Sequence, residues 1–505
     1  MRSLSRGIGV GLLSGAWLAV MSLILAPIYV HLLGIESYGL IGLYAAALAM
    51  GGLLDVALSA TLSREIAWIQ ARPSEQQGIS TLLRSVEIVY WLAVLGLTLV
   101  LLGAVAVFGS GWVRASALPD NQITGALALM SLSLAIQLPS GLYTASLIGL
   151  HRQARSAALL AGFGTVRGLG AALVAWGVSD DIRAFFSWHV VVGLVQIIWL
   201  RWQAWSHVRV MGGRSRFAIE SLMSIRHAAG AMFLITAMGM MLSQMDKVVL
   251  AFLVPLESLG YYTLAWGLAS GLTIIATPIV QGFGARFSAL ASGGKQEELE
   301  IQIKLASQLT YALVIPPAVT ISLFAESIML AWVRDADVAS ASAPPLSLLA
   351  IGTAMVACTI PLLIALYAKK EFKPVLLIQL ICLLLFFPLL LWLVNSLGVL
   401  GAALCWSIYG VGLFTIYYVL TATRHSKRFS LRLLRTFILV AVGSSAIVWV
   451  IKRFLGETAI HGERLGLIGM ALVGAWLLSA SVCPDLRRGF FERLKAVRIS
   501  MSDHQ

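Results

Sequence analysis

Leu33–Arg64 reads LGIESYGLIGLYAAALAMGGLLDVALSATLSR, and Pro255–Arg286, PLESLGYYTLAWGLASGLTIIATPIVQGFGAR, is a weaker copy of it. Glu36, Ser37 and Gly39 of the first stretch each recur 221 positions later in the second. In both copies a short polar turn leads into about twenty apolar residues, which is the length of a membrane-crossing helix. The repeat therefore predicts a chain built from two related halves.

The composition is that of an integral membrane protein. Hydrophobic residues make up 59% of the chain and charged residues only 12%, about half of what soluble domains carry. The mean hydropathy is +0.89. A net charge of +13 would suggest nucleic acid as the partner of a soluble chain. In a membrane protein the distribution of the basic residues matters more than their sum, and we expect no nucleic acid.

Fourteen apolar runs are long enough to cross a hydrocarbon core of about 30 Å as helices. The sequence therefore predicts an all-α polytopic membrane protein with about 14 transmembrane helices. The runs are 8–30, 38–60, 85–108, 122–146, 156–178, 184–204, 227–251, 260–284, 305–332, 344–368, 374–394, 398–421, 433–454 and 465–483.

Lys and Arg are distributed unevenly between the loops. With the N-terminus inside, inner segments hold 28 of these residues and outer segments six. Cytoplasmic loops collect Lys and Arg, so both termini are predicted to be cytoplasmic. The two Glu-Ser-x-Gly turns then lie outside, before the second and eighth helices, in one orientation.

Repeats of one orientation are related as parallel repeats about an axis along the membrane normal. We therefore predict two six-helix bundles, 1–204 and 227–421. A basic amphipathic linker, 205–226, is expected to join them on the cytoplasmic side. The remaining segment, 422–505, is expected to add two C-terminal helices and a basic cytoplasmic tail.

No catalytic motif is present in the sequence, and the loops are too short for an extramembrane catalytic domain. We therefore expect no enzyme, no catalytic residues and no cofactor. The four cysteines lie in or beside apolar runs without CxxC spacing, which indicates buried thiols with no disulfide or metal role. Transport is the function class that remains.

Ionisable residues inside apolar runs are costly and mark functional sites. Arg167 lies near the middle of the fifth run, far in sequence from any acid, and is the first candidate for an anionic substrate. Pairing with a buried acid such as Asp55 or Glu87 is the alternative. Arg64 and Lys247 are the next substrate candidates, although an ion pair with another helix is the alternative for Lys247 and its neighbour Asp246.

Three acids are candidates for ion coupling, namely Asp55, Glu87 and Glu326. Glu87 follows Arg84 by three residues, so an ion pair at the helix end is its alternative interpretation. His189, next to Trp188, is interpreted as a satisfied interfacial histidine rather than a functional one.

Three stretches resemble the polysaccharide-repeat flippases, or O-antigen translocases, of the multidrug/oligosaccharidyl-lipid/polysaccharide exporter superfamily. They are LGIESYGLIGLYAAALAMGGLLDVALSATLSREIA from residue 33, SQMDKVVLAFLVPLESLGYYTLAW at 243–266, and GLYTASLIGLHRQARSAALL at 141–160. The likeness covers the first twelve helices. The two further helices depart from the twelve of many members and resemble the lipid II flippases of the same superfamily.

The resemblance implies two bundles around a central cavity that works by alternating access in the bacterial inner membrane. The implied substrate is an undecaprenyl-diphosphate-linked sugar repeat, moved from the inner to the outer leaflet during surface polysaccharide or lipopolysaccharide synthesis. Arg167, Arg64 and Lys247 would then bind the diphosphate. The expected partners are this lipid-linked oligosaccharide, membrane lipids, and a polysaccharide polymerase and chain-length complex.

Two other function classes stay open. A multidrug or toxin antiporter of the same superfamily would export small cations and would favour a cavity whose acids are unopposed by bases. A membrane-embedded glycosyltransferase or polymerase is the enzyme alternative, and the short outer loops disfavour it.

Overall fold

The fold is taken from a computed structural model that describes the backbone of residues 2–72, 76–210, 216–218, 226–424, 426–455 and 461–483. Within those segments, the side chains at 2–8, 12, 53–60, 112, 210, 226–233, 280–281, 455 and 461–464 lie outside the description. Contacts between Cα atoms divide the chain into two units, Met1–Thr263 and Leu264–Gln505.

The described part of the first unit contains eight helices and the start of a ninth. They are α1 (Arg2–Leu33), α2 (Ile35–Gln70), α3 (Gly78–Phe108), α4 (Asp120–Gln137), α5 (Ser140–Gly149), α6 (Gln153–Gly177), α7 (Ile182–Val210), α8 (Arg226–Leu253) and α9 (Leu256–Ser292). Helix α1 packs on α6, α2 on α5 and α8, and α4 on α7. A core that includes Leu62, Leu83, Tyr143 and Leu200 joins α2, α3, α5 and α7.

The second unit contains the rest of α9 and seven further helices. They are α10 (Gln296–Leu323), α11 (Ala325–Val333), α12 (Ala336–Ala368), α13 (Phe372–Leu397), α14 (Val399–Arg424), α15 (Lys427–Leu455) and α16 (His461–Val482). Helices α15 and α16 pack on each other and on α10. The Phe437 ring lies 4.6 Å from that of Phe414 and 5.4 Å from that of Tyr311.

The prediction of an all-α polytopic membrane protein is confirmed. Thirteen helices in the described part of the chain are long and apolar enough to cross a membrane, and each corresponds to one predicted run. The remaining run, 38–60, lies within the 36-residue helix α2, whose side chains at 53–60 lie outside the description. Helices satisfy every backbone hydrogen bond internally, which is why apolar segments adopt them in a bilayer.

Two predicted runs are each divided in the structure. The run 122–146 is broken between α4 and α5 at Pro139, which has no N–H for the helical ladder and clashes with the preceding turn. The run 305–332 is broken at Phe324. Helix α10 has 28 residues, about 42 Å, and already exceeds the hydrocarbon core, so α11 is a separate short helix.

The turn predicted between the eleventh and twelfth runs is confirmed at Gly398. This residue has φ of 57°, a left-handed value that glycine adopts without strain, and it lies between α13 and α14. The predicted boundaries of the two bundles stay predictions. Most of the linker, including the apolar stripe of Ile219, Leu222 and Met223, lies outside the described residues, as does the tail after Cys483.

Within the first unit, the two copies of the repeat meet at their polar turns. A methyl group added at Gly39 would lie 2.5 Å from the carbonyl oxygen of Leu256. One added at Gly260 would meet the carbonyl oxygen of Ile35 even more closely. Gly39 and Gly260 are 221 positions apart, and so are Ile35 and Leu256. The two copies therefore cross through equivalent residues. Glycine allows the two backbones to touch there.

Candidate functional site

Arg167 lies in α6 and points to α7. Its Nη2 donates a hydrogen bond to Oε1 of Gln196, which is buried. Its Nε is buried and has no hydrogen-bond partner among the described residues. A guanidinium carries five N–H donors, and a buried donor left unpaired is costly. Arg167 therefore retains capacity for one further acceptor.

Arg167 has two uncharged polar neighbours, Gln196 of α7 and Tyr44 of α2, and Tyr44 in turn contacts Ser133 and Gln137 of α4. The hydroxyls of Tyr44 and Ser133 lie 2.8 Å apart, and Nε2 of Gln137 donates to Oγ of Ser133 at 2.9 Å. Tyr44 also interacts electrostatically with Arg167. We call Tyr44, Ser133, Gln137, Arg167 and Gln196 the Arg167 cluster. Its one formal charge is the guanidinium.

His189 lies beside this cluster and is satisfied by its own helix. Its Nδ1 is 3.0 Å from the carbonyl oxygen of Phe185, on whose ring the imidazole stacks at 4.3 Å. The prediction of a satisfied histidine is confirmed. The side chain is buried within the first unit.

Glu87 is not the partner of Arg167 in the structure. Its Oε2 accepts from Nη1 of Arg84 at 2.9 Å, and its Oε1 accepts from Nε of Arg201 at 2.7 Å and from the hydroxyl of Tyr143 at 2.6 Å. The ion pair with Arg84, the alternative interpretation from the sequence, is therefore present. These three donors compensate the negative charge of the buried carboxylate.

Lys247 is buried in α8 beside an equally buried acid. Its Nζ lies 3.4 Å from Oδ1 of Asp246, whose other oxygen accepts a hydrogen bond from the hydroxyl of Tyr262 in α9. Lys247 is therefore in an ion pair within its own helix, whereas the alternative from the sequence was an ion pair between helices. The charges neutralise each other where neither reaches solvent.

Two other predicted residues are exposed, and the third lies outside the described side chains. Arg64 is an exposed residue of α2. Glu326 is exposed in the first turn of the short helix α11 and is not inside a spanning helix. The side chain of Asp55 lies outside the described residues, so its role stays a prediction.

The other four members of the Arg167 cluster were not predicted from the sequence, because only ionisable residues were considered as candidates. Tyr44, Ser133, Gln137 and Gln196 are polar residues within apolar runs, and that is the signal that could have found them. Ser133 and Gln137 are four residues apart, hence on one face of α4.

The second unit contains an apolar groove of about 690 Å³ on α10, α12 and α15. Its walls include Ala318 and Leu323 of α10, Met355 of α12, and Val442 and Trp449 of α15. One wall is thus supplied by α15, the first of the two helices that follow the predicted second bundle. Such a groove can hold a hydrocarbon chain.

The described part of the chain contains no candidate metal-binding site. No group of three His, Cys, Asp or Glu side chains converges there. All four cysteines are free, and three of them are buried.

The fold and these sites together define an all-helical, multi-pass membrane protein. No protein-family model matches the chain, and no curated protein matches it. Solved structures do match it.

The lipid II flippase MurJ, in an inward closed conformation, superposes with a TM-score of 0.70 at 15% identity, covering 94% of this chain and 98% of that one. An inward-facing multidrug resistance MATE family transporter of the MOP superfamily gives 0.63 at 14% identity, covering 80% and 94%. The MATE multidrug transporter DinF-BH gives 0.58 at 13% identity, covering 84% and 95%. At these identities the likeness shows the fold, which is the one that these MOP superfamily transporters share.

Proposed function

We propose that the protein is a flippase that moves an undecaprenyl-diphosphate-linked oligosaccharide from the inner to the outer leaflet of a bacterial inner membrane. The observation that carries the proposal is Arg167, a guanidinium within a spanning helix whose visible partner is a neutral amide. A phosphate supplies paired acceptors that match the guanidinium fork. Arg167 binds the diphosphate in this proposal.

The apolar groove of the second unit supports the same substrate class. A polyprenyl tail must stay in hydrocarbon while its anionic, hydrated head crosses, so the carrier needs an apolar channel as well as a cation. The groove meets that need with walls from α10, α12 and α15. The similarity to the lipid II flippase MurJ, which extends over almost the whole of both chains, also supports this substrate class.

The sugar repeat is assigned to the O-antigen type on the resemblance of the three stretches quoted above, with lipid II as the alternative. Both substrates carry the polyprenyl diphosphate used in this argument. A multidrug antiporter is less favoured, because the visible charge of the Arg167 cluster is positive and would repel a cationic drug.

The proposal keeps Arg64 and Lys247 as secondary diphosphate contacts, and Asp55, Glu87 and Glu326 as candidates for ion coupling. The ion pairs of Glu87 and Lys247 favour structural roles for these two residues. Asp55 is then the first acid to test by substitution with Asn.

Substitution of Arg167 tests the proposal. Arg167→Ala should fold and insert, yet bind a polyprenyl-diphosphate oligosaccharide about 10- to 100-fold more weakly, because a charge-assisted contact is lost. Arg167→Lys should recover only part of the affinity, since an ammonium keeps the charge without the fork. Binding is measured on purified protein and transport in proteoliposomes.

Arg155→Ala is the matched control, because Arg155 is an exposed arginine of the same helix. Its affinity and transport should equal those of the wild type. A well-folded Arg167→Ala protein with full affinity for the lipid-linked sugar would contradict the proposal. Poor folding of Arg167→Ala, restored when a partner acid is also removed, would show a structural ion pair instead.

A further inference from the structure

Two arginines on neighbouring helices share one buried carboxylate at one end of the first unit. Arg84 of α3 and Arg201 of α7 contact opposite oxygens of Glu87, at 2.9 and 2.7 Å. Tyr143 of α5 donates to the same carboxylate. Three helices are therefore tied to a single anion, and the group carries a net charge of one positive unit.

Each guanidinium has capacity beyond this ion pair. Arg84 uses Nη1 and Arg201 uses Nε to reach Glu87, a single nitrogen in each case. Their side chains are 41% and 52% exposed, whereas Glu87 is 3% exposed. The two arginines open onto a pocket of about 480 Å³, with Ile88, Trp91 and Leu92 as its apolar walls. Glu87 also lines the pocket, but both of its oxygens already accept hydrogen bonds from Arg84, Arg201 and Tyr143, which leaves the two exposed guanidiniums as the donors for an entering anion.

The pocket lies at the depth of lipid headgroups. Helix α3 has 31 residues, about 46 Å, and so extends about 8 Å beyond a 30 Å hydrocarbon core at each end. Arg84 is six residues, about 9 Å, from the start of the helix. Trp199 and Trp202 are exposed on either side of Arg201, as interfacial tryptophans are. The same end carries the loops rich in Lys and Arg.

An apolar track leads from the pocket toward the bilayer centre. Leu92, Leu95 and Leu99 are 63%, 55% and 62% exposed and follow one another at helical spacing along α3. An inorganic phosphate has no apolar part that could contact these leucines, whereas an acyl chain can pack along them.

We propose that Arg84 and Arg201 bind the phosphate of an anionic phospholipid, with an acyl chain on the Leu92–Leu99 face of α3. Basic pockets between transmembrane helices recognise anionic headgroups in this way. Glu87 balances one of the two positive charges and does not contact the lipid in this proposal. The site is separate from the Arg167 cluster and does not depend on the flippase proposal.

Native mass spectrometry of the full-length protein, with equal amounts of phosphatidylglycerol and phosphatidylcholine added to the micelles, tests this proposal. The wild type should retain phosphatidylglycerol about tenfold in preference to the zwitterionic lipid. The triple variant Arg84→Gln, Glu87→Gln and Arg201→Gln removes the three charges together and leaves no buried unpaired ion, so it should fold. It should lose the preference.

Two single variants sharpen the result. Glu87→Gln keeps both arginines and should retain the preference. Arg152→Gln, which removes an exposed arginine outside the pocket, should behave as the wild type. A triple variant with the wild-type preference would overturn the proposal, and so would displacement of phosphatidylglycerol from the wild type by excess inorganic phosphate, since that marks a site for the free ion.

Discussion

Glu36 and Glu257 occupy equivalent positions in the repeat but have different surroundings. Glu36 is buried, and its two oxygens accept hydrogen bonds from the backbone N–H groups of Ser116, Ala117 and Leu118 at 2.9 to 3.2 Å. Glu257 is exposed and accepts from the hydroxyl of Tyr261. One copy of the turn therefore anchors the loop between α3 and α4.

The contacts of Glu36 give a pH-dependent contribution to stability. Burial alone would raise the pKa of the Glu36 carboxyl, but the hydrogen bonds from Ser116, Ala117 and Leu118 outweigh it and hold that pKa below its ordinary value of 4.5. A lowered pKa in the folded state stabilises the fold above pH 4.5. This stabilisation is lost as the pH falls through the folded-state pKa.

Glu36→Gln should therefore lower the free energy of unfolding by about 1 to 3 kcal/mol at pH 7, because hydrogen bonds to a charged acceptor are lost. The difference from the wild type should shrink as the pH is taken below 4.5. Thermal unfolding of the purified protein in detergent measures both effects. Glu257→Gln is the matched control and should change little, and equal losses in the two variants would contradict this account.

The sequence predicted some residue contacts and not others. The three-residue spacing of Arg84 and Glu87 indicated their ion pair. The third member, Arg201, is 114 positions from Glu87, and no local pattern reports such a contact. The sequence likewise did not predict Gln196 as the partner of Arg167. The distance between α6 and α7 at these residues depends on how the two helices pack and not on the spacing of residues along the chain.

At the scale of elements, the crossing of α2 with the first turns of α9 depends on two glycines. Any side chain at Gly39 would press on the backbone of Leu256, and main-chain atoms cannot rotate away as a flexible side chain can. The contact therefore requires glycine for its steric room and not for a special backbone angle.

Gly39→Ala should destabilise the protein by about 1 to 3 kcal/mol, which is the usual cost of overpacking. Gly96→Ala is the control, because nothing lies within 4 Å of a methyl group added there. Alanine is the better helix former, so this variant should be neutral or more stable by up to about 1 kcal/mol. Melting temperatures in one detergent compare the two, and equal destabilisation would contradict the close crossing.

Helices were predicted well and their interruptions less well. Apolar runs of about twenty residues must be helical in a bilayer, so their number and order follow from composition. Pro139 divides a run whereas Pro278, Pro316 and Pro361 lie inside continuous helices. A proline can remain inside a helix when neighbouring helices satisfy the carbonyl that it frees. The sequence alone does not show which prolines have such neighbours.

At the scale of the whole molecule, the charge bias of the loops predicts the orientation in the membrane. In a cysteine-free background, Asn121→Cys should react with a membrane-impermeant maleimide in intact cells, because it lies on the predicted outer side. Lys370→Cys should be protected until the cells are permeabilised. Both residues are exposed, so burial does not confound the comparison. Labelling of Lys370→Cys alone would reverse the predicted topology.

The crossing at Gly39 and Gly260 also offers a reason why the two copies of the turn are still similar in sequence. Each copy of the turn is the surface against which the other copy rests, so a change in one alters the environment of both. Beyond the turn the two sequences match less well, as the stretches before Arg64 and Arg286 show. The similarity is therefore strongest where the two copies of the turn contact each other.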